Sequence, residues 1–292
     1  MRQPRQVVVT GATGQQGGAV TRALRARGIP VRALVRTPES PAAERLRRSG
    51  VELVVGRLEE PAALDRALAG ADALFALTTP FEGVATEAEK GIALVDAARR
   101  AGISHLVYTS ACHADQSTGI PSFESKHRIE QHLRASGVPF TIVAPVYFME
   151  NLLTDFGLSR LRQGQYVRWM PLDKGLQQIS VEDIGRFCAW GFEHRDAVLG
   201  QRIDIAGDEL DGPQAAAILS RATRHEVRAQ ALPLEGFPAD GDLGRNIKAL
   251  LAWLAHTGFQ VDIPRLRREY PEPGWRTFSQ WAAEQDLAAR TA

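Results

Sequence analysis

Val7-Val8-Val9-Thr10-Gly11-Ala12-Thr13-Gly14-Gln15-Gln16-Gly17-Gly18 reads as a strand, a glycine turn and the first turn of a helix. Three successive valines suit a short strand buried on both faces. The glycines allow a turn too tight for side chains. Ala19 to Gly28 then carries helical periodicity. A strand, a glycine turn and a helix N-terminus together form an anion site. Backbone N–H groups approach a diphosphate closely, and the helix dipole favours the negative charge. The spacing is Gly11-x-x-Gly14-x-x-Gly17 rather than G-x-G-x-x-G, yet both flanks have the expected character. The stretch is therefore expected to bind a dinucleotide through Gly11, Thr13, Gly14, Gln15, Gln16 and Gly17.

Working outward, strands and helices alternate. Val31–Arg36, Val51–Val55, Ala73–Thr78, His105–Ser110 and Pro139–Ala144 read as further strands. Helices fall between them over 15–27, 41–49, 61–68, 86–101 and 122–136. This predicts an α/β fold: a Rossmann-type doubly wound parallel sheet with its ligand at the C-terminal strand ends. The rhythm breaks after Val146. Tyr147–Leu161 reads as helix, Gln163–Leu176 as irregular, and Ile179–Phe192 as a helix with Ser180 as its N-cap. Arg202–Ala206 reads as a strand, and Gln214–Arg224, Leu243–Thr257 and Thr277–Arg290 as helices. The expected domains are 1–152 with 178–206 as the dinucleotide domain, and 153–177 with 207–292 as a smaller, mostly helical substrate or partner lobe.

Composition narrows the function. The 292 residues are 44% hydrophobic and 24% charged, with net charge +1, so neither nucleic acid nor an anionic membrane is an expected partner. No apolar run reaches the length of a membrane span, and Val7–Val9 is too short for a signal-peptide core. Cys112 and Cys188 form no metal or disulfide pattern, and no histidine pair has ligand spacing, so no metal is expected. A cytoplasmic protein is expected. Its partner is a small-molecule substrate or a regulated protein, and a homodimer is left open.

Arg36 ends the second strand, where NAD-specific folds place an acidic residue; its guanidinium fork suits a 2′-phosphate, so NADP(H) is the expected cofactor, with Thr37 adding a hydroxyl. Thr78, Thr79 and Pro80 follow the fourth strand and are expected at the nicotinamide ribose, while Pro145, Tyr147 and Phe148 follow the sixth and are expected to wall the nicotinamide. Loop packing is the alternative for both groups. Lys126 stands where short-chain dehydrogenases carry the lysine of Tyr-x-x-x-Lys, but the tyrosine position holds Ser122, a far poorer acid. Lys126 is expected to anchor the ribose or carry a proton; an exposed helix lysine is the alternative. Ser110 and Tyr147 are candidates for polar assistance to catalysis, and His113 a weaker one.

VTGATGQQGG, ALVR, LVYTSA, SFESKHRIEQHLRASGVPFTIV, APVYFMENLL and ISVEDIGRF resemble the NmrA-like group of atypical short-chain dehydrogenase/reductases. The similarity covers most of residues 5–206 and continues more weakly to about 284. The resemblance implies that Gly11, Thr13, Gly14, Gln16 and Gly17 form the phosphate loop, that Arg36 meets the 2′-phosphate, and that Lys126 is the shared lysine. Phe123 and Lys126 match the Phe-x-x-Lys of the more distant phenylcoumaran benzylic ether and isoflavone reductases. It also implies two activities. One is NADPH-dependent hydride transfer to a small aromatic, quinone-like or enone substrate. The other is a non-catalytic NADPH/NADP redox sensor that regulates a protein. One departure is Arg57 after Gly56, where relatives commonly place Asp near the adenine.

Overall fold

The computed structural model describes residues 3–292. The first elements are β1 (Val7–Thr10), α1 (Gln15–Ala26), β2 (Val31–Val35), α2 (Pro41–Arg48), β3 (Glu52–Val55), α3 (Pro61–Leu68), β4 (Ala73–Ala76), α4 (Val84–Arg100), β5 (His105–Thr109), α5 (Pro121–Ala135) and β6 (Phe140–Pro145). There follow β7 (Tyr147–Phe148), α6 (Asp155–Arg162), β8 (Gln165–Arg168), β9 (Leu176–Ile179), α7 (Val181–Glu193), α8 (Arg195–Val198), β10 (Arg202–Ile205), β11 (Asp208–Leu210), α9 (Gly212–Thr223), β12 (Arg228–Ala231), α10 (Gly241–His256), α11 (Ile263–Glu269), α12 (Phe278–Glu284) and α13 (Leu287–Thr291).

Chain contacts divide these into two compact units, one of Met1–Ser117, Pro121–Ala144 and Ile184–Asp204, the other of Thr118–Ile120, Pro145–Asp183 and Ile205–Ala292. The sheet of the first runs β10-β6-β5-β4-β1-β2-β3. Strands β1 to β6 pair in parallel, Val7 standing beside both Val31 and Ala73. The order reverses between β1 and β4, the place where a doubly wound sheet opens a crevice at its C-terminal edge. β1, β4 and β5 are buried along their whole length because helices cover both faces. Local chemistry sets the helix starts: Pro41 and Pro61 begin α2 and α3, where a missing N–H is harmless, and Ser40 accepts from the Ala43 N–H.

The second unit departs from the sequence reading. Tyr147–Leu161 is not one helix but strand β7, a 3₁₀ turn over Met149–Leu153, and α6. An apolar run of that kind carries no periodicity that separates buried strand from buried helix. The stretch read as irregular contains β8, which pairs in parallel with β12 (Gln165 beside Arg228). Ile179 belongs to β9, in the three-stranded sheet β11-β9-β7, and not to the helix that follows. Thr277–Arg290 is broken by Asp286, whose φ is +48°, into α12 and α13. This unit has an apolar core of its own around Met149, Tyr166, Leu219, Phe278 and Trp281.

Candidate functional site

The glycine turn is built by contacts that admit no side chain. Gly11 has φ +67°, and a Cβ there would stand 2.7 Å from Leu77 Cδ2. A Cβ on Gly17 would lie 2.3 Å from the Gly11 carbonyl oxygen and 2.8 Å from the Ala12 nitrogen. The start of α1 is thereby pressed against the end of β1. The Gly14 N–H donates to the Gly11 carbonyl at 2.9 Å. Gly14 is the N-cap of α1, and neither a capping side chain nor an acidic residue occupies the first turn. The first N–H groups of a helix have no partner within it, so this one presents donors and the positive end of its dipole. Thr13 and Gln15 are exposed beside it, while Gln16 accepts a 2.7 Å hydrogen bond from Thr109. These residues fit a dinucleotide diphosphate: the cradle is one that a Cβ at position 17 would fill.

Thr10 joins the turn to the switch point. Its hydroxyl donates to the Leu77 carbonyl at 3.0 Å and accepts from the Leu77 N–H at 2.7 Å, tying the ends of β1 and β4 together. Thr78 is buried just beyond, whereas Thr79 is exposed and Pro80 half-buried.

Arg36 is the first residue past β2 and is exposed, with its Nη1 3.1 Å from Glu82 Oε1. Glu82 also pairs with Lys90, Lys90 with Glu59, and Glu59 with Arg57 at 3.6 Å. A chain of alternating charge therefore runs from Arg36 to Arg57. The bond from Lys90 holds the Glu82 carboxyl below the usual range. An anion arriving at Arg36 competes with this carboxylate. That competition is not visible around Arg36 in the sequence, because Glu82 lies 46 residues away.

Lys126 Nζ is 2.9 Å from Glu87 Oε1 and 3.5 Å from the Thr78 carbonyl. Glu87 is fully buried, and also accepts from Ser125 and, at 3.2 Å, from Thr78. The expected role of Lys126 as a proton carrier runs against its electrostatics. Burial does lower its pKa, but Glu87 outweighs it and the net shift is upward, so the ammonium stays charged. Nor is Lys126 an exposed helix lysine, since its side chain is 14% exposed. Tyr108, the nearby phenol, is buried and pushed up to about 12, so it supplies no accessible acid. Glu87 was missed in the sequence, although the signal was there. It lies four and seven residues before Gly91 and Leu94, on the buried face of α4, where a carboxylate requires a partner.

The Ser110 hydroxyl donates to the buried Glu130. Glu130 in turn pairs with Arg202 at 3.1 Å, and Arg202 also meets Asp204 and Asp115. Ser110 is thus engaged in a buried charge network rather than presented on its own. His113 has φ +64° and places Nδ1 3.0 Å from the Cys112 sulfur, and burial lowers its pKa. Of the expected site residues, the turn, Thr78, Lys126, Arg36 and Ser110 all lie in the first unit, with Lys126 and Thr78 in contact. Pro145, Tyr147 and Phe148 belong to the second. There the Tyr147 hydroxyl bonds Asn151, and burial pushes its pKa up. Among the described residues no helix is long and apolar enough to cross a membrane, and no cluster of His, Cys, Asp and Glu is arranged to hold a metal ion.

Against known proteins, the model of the NmrA-like family matches residues 3–282. The chain belongs to the NmrA-like family. This NmrA-like chain is 31% identical to an NAD(P)H azoreductase of Xenophilus azovorans, over 78% of each protein. It is also 31% identical to a (4-alkanoyl-5-oxo-2,5-dihydrofuran-3-yl)methyl phosphate reductase of Streptomyces griseus, over 98% of this chain and 89% of that one. Among solved structures it shares its fold with the triphenylmethane reductase of Citrobacter sp. complexed with NADP(H), at TM-score 0.82 and 21% identity, covering 96% of this chain and 99% of the other.

Proposed function

We propose that this NmrA-like protein binds a nicotinamide dinucleotide at the Gly11–Gly17 turn, prefers NADP(H), and reduces a small aromatic, quinone-like or enone molecule. The turn carries the reading: an uncapped helix start stands over a glycine cradle that admits no Cβ. The two reductases at 31% identity support the reaction class. When bound, the nicotinamide supplies the hydride. The N–H groups at the start of α1 hold the diphosphate, and Arg36 grips the 2′-phosphate after parting from Glu82. Lys126, fixed by Glu87 and permanently charged, orients ribose hydroxyls rather than giving up a proton. Thr78, Thr79 and Pro80 line the ribose beside it. Pro145, Tyr147 and Phe148 are proposed to wall the nicotinamide, with Tyr147 and Ser110 giving polar assistance.

The test is a pair of binding titrations with NADPH and NADH, followed by NADPH oxidation against quinones, azo dyes and enones. A charge-assisted bond to phosphate is worth about 1.5–3 kcal/mol, so Arg36→Glu is expected to weaken NADPH roughly tenfold or more and to spare NADH. Glu82→Gln, which frees the arginine, is expected to tighten NADPH. Absence of binding by either nucleotide, or a preference indifferent to Arg36→Glu, overturns the reading. A second reading, a redox sensor without turnover, is favoured by Ser122 in place of an acid and by the locked Lys126. It requires a protein partner whose affinity differs between the NADPH and NADP forms, and equal affinities refute it.

A further inference from the structure

The second unit carries a partly open cavity of about 390 Å³, within the range of roughly 300–1,000 Å³ common for small-molecule sites. Trp169, Phe237, Leu250 and Leu254 form much of its wall, with the Trp169 and Phe237 rings edge to face at 5.1 Å. Against this apolar lining stands Arg168, the last residue of β8, which is 4% exposed. Its Nη2 donates to the Lys174 carbonyl at 2.8 Å and to the Met170 sulfur at 3.1 Å, and its Nη1 to the Leu172 carbonyl at a long 3.4 Å. All three partners are neutral. Its Nε–H has no acceptor. Asp211 and Asp173 act on it only through space.

A buried guanidinium without a counter-ion is costly, because its hydration is lost with little returned. The same chain shows the usual remedy. Arg202, with 8% of its side chain exposed, is met by the carboxylates of Glu130, Asp204 and Asp115. Arg168 lines a cavity and Arg202 is enclosed by its own fold's acids. Tyr166 lies two residues before Arg168 on the same strand, so both side chains share the buried face of β8. Tyr166 and Tyr147 both line the cavity, and burial raises the pKa of each, Tyr166 to about 12. Both phenols therefore stay neutral and able to donate.

We propose that this cavity binds a flat aromatic molecule bearing one anionic oxygen group, its rings against Trp169, Phe237 and Leu250 and its anion on Arg168. Tyr147 and Tyr166 supply further donors to the same oxygens. The neutral loop carbonyls hold the guanidinium in place, and the incoming anion completes its coordination. The inference rests on the proposed reductase reading only in taking this molecule as the acceptor; binding itself requires no cofactor.

The experiment is calorimetric titration of the full chain, without nucleotide, using 2-naphthoate, 2-naphthalenesulfonate and the uncharged 2-naphthamide. Naphthoate is expected to bind at least tenfold more tightly than naphthamide. Arg168→Met is expected to abolish that margin and leave naphthamide binding unchanged, and Arg168→Lys to retain part of it. Leu250→Trp, which fills the cavity, is expected to weaken all three probes. A sulfonate that matches naphthoate assigns the site to anionic oxygen groups in general, and one that falls to the level of naphthamide assigns it to carboxylates. Equal affinity of naphthoate and naphthamide in the unaltered protein overturns the proposal without any variant having to fold. So does a margin that survives Arg168→Met, or an absence of naphthoate binding. NADPH titrated separately keeps the two readings apart: nucleotide binding without a naphthoate margin refutes only the anion site, and the converse refutes only the reductase.

Discussion

Glu87→Gln removes the charge that faces Lys126 while preserving the shape of the side chain. Glu87 is fully buried and Lys126 nearly so, at 2.9 Å, where breaking one member of a pair costs about 3–5 kcal/mol. The amide oxygen still accepts from Thr78 or Ser125, which places the loss near the lower end, about 3 kcal/mol. For a domain of roughly 150–250 residues each kcal/mol moves Tm by about 2–4 °C, so a melt followed by circular dichroism should shift down by roughly 6–12 °C. Lys126→Met should cost a similar amount by stranding the carboxylate. The double variant should fall short of the sum of the two by at least about 2 kcal/mol, because no unpaired charge remains. The pH dependence gives an independent sign. In the wild type the Lys126 pKa is raised, so its contribution is complete below about 10.5 and is lost as pH rises through the higher folded value. In Glu87→Gln the strongest influence raising that pKa is gone, and only Tyr108 and Glu130 remain to oppose burial, so the upward shift shrinks. The alkaline decline of stability should therefore be shallower than in the wild type. A loss under about 1 kcal/mol, additive single variants, or an unchanged alkaline slope would refute the buried ion pair as the anchor of Lys126.

Gly17→Ala puts a methyl 2.3 Å from the Gly11 carbonyl oxygen, so backbone must move; stability should drop by about 1–3 kcal/mol and NADPH affinity at least tenfold, and titration with intact affinity would remove the turn from the site. His105 is buried and its pKa is lowered to about 4, so the unfolded chain takes up a proton that the folded chain refuses between about 6.5 and 4. Stability should therefore be full above about pH 6.5 and decline by roughly 3 kcal/mol on acidification to about pH 4, a slope that denaturant titrations of His105→Gln should lack.

The alternation of β1 to β6 with α1 to α5 was legible because each signal is local. A fully apolar run buried on both faces, a proline at a helix start and a glycine where φ is positive are properties of a few adjacent residues. The same holds for the Gly11–Gly17 turn. The short strands of the second unit were not legible, since Gln165–Arg168 becomes a strand only by pairing with Arg228–Ala231, 63 residues on. The site residues divide along the same line. The sequence placed Lys126 within the helix after the fifth strand and Ser110 at the end of that strand. It did not show that Glu87, 39 residues away, fixes the charge of one, or that Glu130 claims the hydroxyl of the other. Nor did it distinguish Arg168, with its neutral partners, from Arg202, with its carboxylates. Backbone conformation and strand order follow from near-neighbour sterics and hydrophobic pattern, which sequence spacing records. The ionisation and reach of a buried side chain depend on which distant groups the packed chain brings within a few ångströms, and only the folded structure decides that.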